Sequence, residues 1–76
     1  MSKLGSYSGS KVVQAFQNAG WSISRKSGSH IIMEKPDCIS TLSVPVHKGK
    51  DVKRGTLRDL IKDAGMTVKD FITYLK

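Results

Sequence analysis

At Gly20 the spacing of apolar residues changes its period, and that change constrains the fold more than any other feature of the chain. Before it, Val12, Val13, Phe16 and Ala19 stand at i, i+1, i+4 and i+7, the stripe of one helical face. Ser8 or Ser10 can cap the start of such a helix and Gly20 supplies a left-handed stop, which predicts a helix over about residues 9–19. After it, Trp21, Ile23 and Arg25 alternate with Ser22, Ser24 and Lys26 at strand spacing. A helical stripe followed by period-two runs calls for a layered fold in which the helix covers one face of a sheet.

The remaining elements follow by the same rules. Ser27-Gly28-Ser29 is a turn signal, and His30-Ile31-Ile32-Met33-Glu34-Lys35 is apolar enough for a central strand. Pro36-Asp37 breaks it. Leu42, Val44 and Val46 alternate again, with Pro45 inside the run. Proline cannot donate to a ladder, so this third strand belongs at an edge. Two short connections predict an antiparallel meander. Thr56 with Asp59, and Thr67 with Asp70, each mark a helix start, and the apolar residues that follow predict two short helices broken at Gly65-Met66. Residues 1–7 carry no pattern and are expected to fray. The predicted class is α+β, α-β-β-β-α with a short extra C-terminal helix, a three-stranded antiparallel sheet and helices on one face. Double-stranded-RNA-binding domains share this element order.

With 76 residues the chain makes one domain. It buries about 60–65% of its extended surface, so its core is thin and its site is expected at the surface, completed by a large partner. Lys and Arg number 13 against 6 Asp and Glu, a net charge of +7. That excess favours polyanions, nucleic acid first. No apolar run has the length of a membrane-spanning helix and the start, MSKLGSYSGS, has no apolar signal core, so the expectation is an intracellular protein with no membrane role. Cys38 is the only cysteine, which excludes an internal disulfide; a small buried hydrophobe is its expected role. Met33, Met66 and Trp21 are expected to fill the core, although Trp21 could also stack on a base. Nothing in the chain spells a phosphate-binding glycine loop, a dinucleotide fingerprint or a zinc-protease motif.

Two stretches carry chemistry. Lys48, Lys50, Lys53, Arg54 and Arg58 crowd one segment, diluted by Asp51. Gly49 and Gly55 let backbone approach a phosphate, and the start of the following helix offers free N–H groups to an anion. The segment reads as a phosphate track, against the plain alternative of a solvated loop. The second stretch is Gly28-Ser29-His30. Imidazole can take or give a proton near neutral pH. In RNA cleavage the ribose 2′-OH attacks its own phosphate, and a base with nearby cations suffices. His30 stands at the mouth of a turn where substrate could reach it; His47 leads into the basic loop. If Ile31 and Met33 face the helices, His30 shares the open face with Ile32 and Glu34; if Ile32 is core, His30 sits at the rim of the helix side. A serine nucleophile at Ser29, or a metal held by His30, His47 and Cys38 or Asp37, has little support in the spacing.

GSHIIM at 28–33 and VPVHKGKDVKRGTLRDLIKDAGMTVKDF at 44–71 resemble the HicA toxin family, as does the first helix ending in Ala-Gly-Trp. The resemblance covers about residues 9–75. It implies a double-stranded-RNA-binding-domain-like fold and a small mRNA interferase, the toxin of a type II toxin–antitoxin pair. It implies that His30, in the Gly-x-His turn opened by Gly28, is the single catalytic histidine, with His47 at most an accessory. Many relatives carry basic or aromatic residues after that histidine; here the strand runs Ile-Ile-Met-Glu, which puts Glu34 near the expected RNA face.

Together these readings predict a metal-independent, ribosome-independent endoribonuclease with no cofactor. His30 acts on the 2′-OH or the leaving oxygen, Ser29 positions a phosphate, and Lys26, Lys48, Lys50, Lys53 and Arg54 hold the RNA backbone. A HicB-type antitoxin is the expected partner, with a free monomer that joins a hetero-oligomer in a prokaryotic cytoplasm. The alternatives are a non-catalytic RNA-binding module using residues 47–58, and a protein-interaction domain whose basic surface docks an acidic partner.

Overall fold

A computed structural model describes residues 4–75. In chain order its elements are β1 (Tyr7–Ser8), α1 (Gly9–Asn18), β2 (Ser22–Ser27), β3 (His30–Lys35), β4 (Cys38–Pro45), β5 (Asp51–Val52), α2 (Arg54–Asp63) and α3 (Val68–Thr73). The predicted α+β architecture is the one observed. β2, β3 and β4 form the antiparallel sheet in that order, so the strand with Pro45 is an edge.

Local chemistry sets the ends of the helices. Ser8 caps α1, its hydroxyl oxygen accepting from the Lys11 N–H at 3.2 Å. α1 and α2 stop in the same way. Gly20 N–H reaches Gln17 O and Trp21 N–H reaches Phe16 O; Gly65 N–H reaches Lys62 O and Met66 N–H reaches Ile61 O. These pairs satisfy carbonyls that a helix end would otherwise leave orphaned. α3 begins with the predicted capping box between Thr67 and Asp70. The other predicted box, Thr56 with Asp59, does not form. α2 starts two residues earlier, at Arg54, with Lys53 as its uncapped N-cap. Pairing of β5 with β1 holds Val52 extended, and the helix begins as soon as that pairing ends.

The core lies between the sheet and the helices. Met33, Leu42 and Val44 point inward from β3 and β4 and meet Val12 and Phe16 of α1, Leu57 of α2 and Phe71 of α3. Trp21 is buried as well, which leaves no exposed face for stacking on a base. Met66 and Cys38 are half-buried, so Cys38 is a rim residue and not an interior one. Leu4 is buried in the core, and Tyr7 pairs with Val52 while its ring tilts against Phe71 at 6.2 Å. The expectation of a frayed start therefore fails for residues 4 and 7; residues 1–3 lie outside the described part. A two-residue pairing between segments so far apart leaves no periodic trace in sequence.

Two irregularities in the sheet decide which side chains meet. Between Ile23 and Arg25 the β2–β3 register shifts, so Arg25 rather than Ser24 lies opposite Ile32. Between Met33 and Lys35 the β3–β4 register shifts, and His30 comes to lie opposite Pro45. Regular pairing from Lys35 with Cys38 would have put Ser43 there. A slip of this kind changes which residues meet without changing the strand order.

Candidate active site

The site is built on the open face of the sheet. Because Met33 is fully buried and Ile31 packs against the core, His30 projects to the side away from the helices, with Ile32 and Glu34. Of the two orientations left open by strand spacing, this is the first. The turn before it is tight. Gly28 takes φ +61, with nothing within 4 Å of where a Cβ would stand. A side chain here would strain the backbone. His30 is exposed.

Register then brings a second imidazole alongside. Pro45 is the cross-strand partner of His30, and the Val46 N–H donates to the Ser29 carbonyl at 2.7 Å, which ties the end of β4 to the turn. His47 follows at once. The two rings stand 6.5 Å apart between centroids, with their planes at 78°. The chain then folds back, the Lys50 N–H donating to the His47 carbonyl at 3.1 Å. β5 and the start of α2 close the far side.

The result is a cleft of about 440 Å³ lined by His30, Ser43, Pro45, His47, Lys50, Asp51, Val52, Lys53 and Thr56. Its polar groups are two imidazoles, two ammonium groups, two hydroxyls and the Asp51 carboxylate. No side chain caps α2, so its first N–H groups, beside Lys53 and Thr56, stay available to an anion. Proton carriers and cations around one opening are the groups that cleavage of a phosphodiester needs.

The residues predicted from sequence are not all in it. His30, His47, Lys50 and Lys53 come together. Lys48 lies on the other side of the loop, in a groove with Ser8, Gly9 and Ser10 at the start of α1. Arg54 and Ser29 are exposed next to the cleft without lining it. Lys26 lies opposite Ile31, whose side faces the helices, so the pleat directs it away from His30. Arg25 takes its place on the His30 face, because the irregularity at Ser24 shifts the register of β2 against β3 by one residue. Ser43 and Thr56 were also missed as lining residues; only the shifted register and the earlier start of α2 place them there. Cys38 pairs with Lys35 at the opposite end of the β3–β4 hairpin from His47, which rules out a metal site joining them. Among the described residues no group of three or more His, Cys, Asp or Glu is arranged to hold a metal.

A family model described as the HicA toxin of bacterial toxin–antitoxin matches residues 9–66. The chain belongs to the HicA toxin family. No curated protein matches it. The span shared with HicA toxins runs from the first residue of α1 through α2 and contains the Gly28 turn, both histidines and every residue lining the cleft. α3 lies beyond it. Membership makes this HicA-family chain a toxin component whose counterpart is an antitoxin. Among the described residues no helix is long and apolar enough to cross a membrane.

Proposed function

We propose that this HicA-family toxin is an endoribonuclease that cleaves mRNA without a metal or the ribosome, with His30 as its essential proton carrier. The observation that carries the reading is the position of His30: exposed on the open face and lining a cleft with Lys50 and Lys53. In this reading RNA lies across the open face, with the scissile phosphate at the mouth of the cleft. His30 takes the proton of the 2′-OH as that oxygen attacks phosphorus. Lys50, Lys53 and the uncapped start of α2 hold the phosphate and stabilise the charge that builds on it. Arg25, Lys48 and Arg54 carry the flanking backbone, and Ser29 sits where its hydroxyl can meet a neighbouring phosphate. Gly28 keeps the turn low enough for a strand to pass.

A HicB-type antitoxin is the proposed partner. It binds the free monomer and silences it by covering His30 or by setting acidic side chains against Lys50 and Lys53. The test is cleavage of a labelled transcript by purified protein in the presence of EDTA. Wild type is expected to produce fragments, and His30→Ala to lose about 10²–10⁴-fold in rate while still binding the RNA. Equal cleavage by the two proteins removes His30 from the reaction. Binding without fragments from wild type would instead make the domain a non-catalytic RNA-binding module.

A further inference from the structure

We infer that His47 is the second catalytic histidine of this site, the general acid that protonates the leaving 5′-oxygen while His30 acts as the base. The inference rests on the nuclease reading above and adds a residue to it. Attack by a 2′-oxygen expels the 5′-oxygen from the opposite side of phosphorus. One proton must leave the nucleophile and another must reach the leaving group, on two sides of the same phosphoryl group. A single imidazole can serve one side at a time. Each carrier has to stand within about 2.6–3.2 Å of its oxygen in the reacting complex. Rings centred 6.5 Å apart are too far for ring contact and leave room for one phosphoryl group between them.

Three constraints converge on the backbone around His47. Val46 N–H is bonded to Ser29 O, and Lys50 N–H to the carbonyl of His47 itself. Gly9 packs so closely on the segment before it that a Cβ there would stand 2.6 Å from Pro45 O and 2.7 Å from Val46 Cα. The ring so positioned is exposed, so packing does not account for it. Anchoring the backbone that carries one exposed imidazole beside another, across a cleft with two lysines, places a second proton carrier in advance of substrate.

The step balances. His30 accepts the 2′-OH proton, the 2′-oxygen bonds to phosphorus, the phosphorus–5′-oxygen bond breaks, and His47 gives its proton to the departing oxygen. The products are a 2′,3′-cyclic phosphate and a 5′-hydroxyl, and solvent restores both imidazoles.

The experiment uses two RNAs carrying the same mapped cleavage site, one natural and one with sulfur in place of the bridging 5′-oxygen. A thiolate leaves without being protonated, so the second substrate needs no acid. His47→Ala is expected to lose about 10²–10⁴-fold on the natural linkage and to regain most of that rate on the sulfur linkage. His30→Ala is expected to be slow on both. Equal loss on both substrates by His47→Ala would assign it to phosphate binding or structure and overturn the proposal. Unchanged cleavage by that variant would also overturn it. So would rescue of His30→Ala, which exchanges the roles. Inertness of wild type on both RNAs would bring down the nuclease reading itself, an outcome distinct from the other three.

Discussion

Gly9 is the position where one methyl group tests both the fold and the site. It is the first residue of α1 and is buried against the end of β4. A Cβ added there would meet Pro45 O at 2.6 Å, Val46 Cα at 2.7 Å and Val46 Cγ2 at 2.8 Å. Two of these three atoms are backbone, and that backbone is bonded to Ser29, so it has little freedom to retreat. Overpacking of a closed site costs about 1–3 kcal/mol, and contacts this short belong at the upper end. Alanine returns at most about 1 kcal/mol through its better helix propensity, and less at a first-turn position. The net expectation for Gly9→Ala is a loss of about 2 kcal/mol, which lowers Tm by about 8–16 °C in a domain of this size. Thermal unfolding followed by circular dichroism measures it. Because the displaced segment leads into His47, the folded variant should also cleave RNA more slowly at a temperature where it is fully native. A variant as stable as wild type would show that the close approach of α1 to β4 does not exist in solution.

Gly55→Ala is the matching control: it lies in α2 with nothing within 4 Å, so it should stabilise the fold by about 0.4–1 kcal/mol in urea unfolding. The same variant should bind RNA more weakly, since the new methyl stands where the start of α2 meets the phosphate; unchanged affinity would remove that helix start from the interface. Replacing both Lys50 and Lys53 with Ala should lower the slope of log affinity against log salt by about 1.4 for a single-stranded RNA, read by fluorescence anisotropy across a salt series. An unaltered slope would place the phosphates elsewhere. Arg25→Ala should weaken RNA binding while Lys26→Ala leaves it as in wild type, because the register shift puts only the first on the His30 face. The reverse ranking would mean that RNA approaches from the helix side.

Much of this fold could be read from spacing because each of its larger elements buries one face. The helical stripe through Val12 and Phe16, the alternation of Leu42 with Val44, and the proline that marks an edge all follow from a thin core with one covered side. What escaped shares a different property. The slip at Ser24 is a single insertion into regular pairing and the one between Met33 and Lys35 offsets the register by two residues, and no propensity announces either. Their effect is large, since they set which cation shares a face with His30 and bring Pro45, and so His47, to its side. The β1–β5 pairing is two residues long on each strand, below the length at which periodicity exists. Thr56 looked like a helix cap because Asp59 follows at the right distance, but pairing at Val52 set the start of α2 first. His30 itself was legible from the glycine turn and the family resemblance; its relation to Lys50, Lys53 and His47 required the coordinates.

The pairing of Tyr7 and Ser8 with Asp51 and Val52 makes a strap across the loop that bears Lys50. Leu4 anchors the strap in the interior, and the Ser8 hydroxyl secures the first turn of α1, whose opening glycine braces the strand end before His47. A protease clipping the chain just ahead of Gly9 would therefore unfasten the cleft some forty residues downstream without touching any group that lines it.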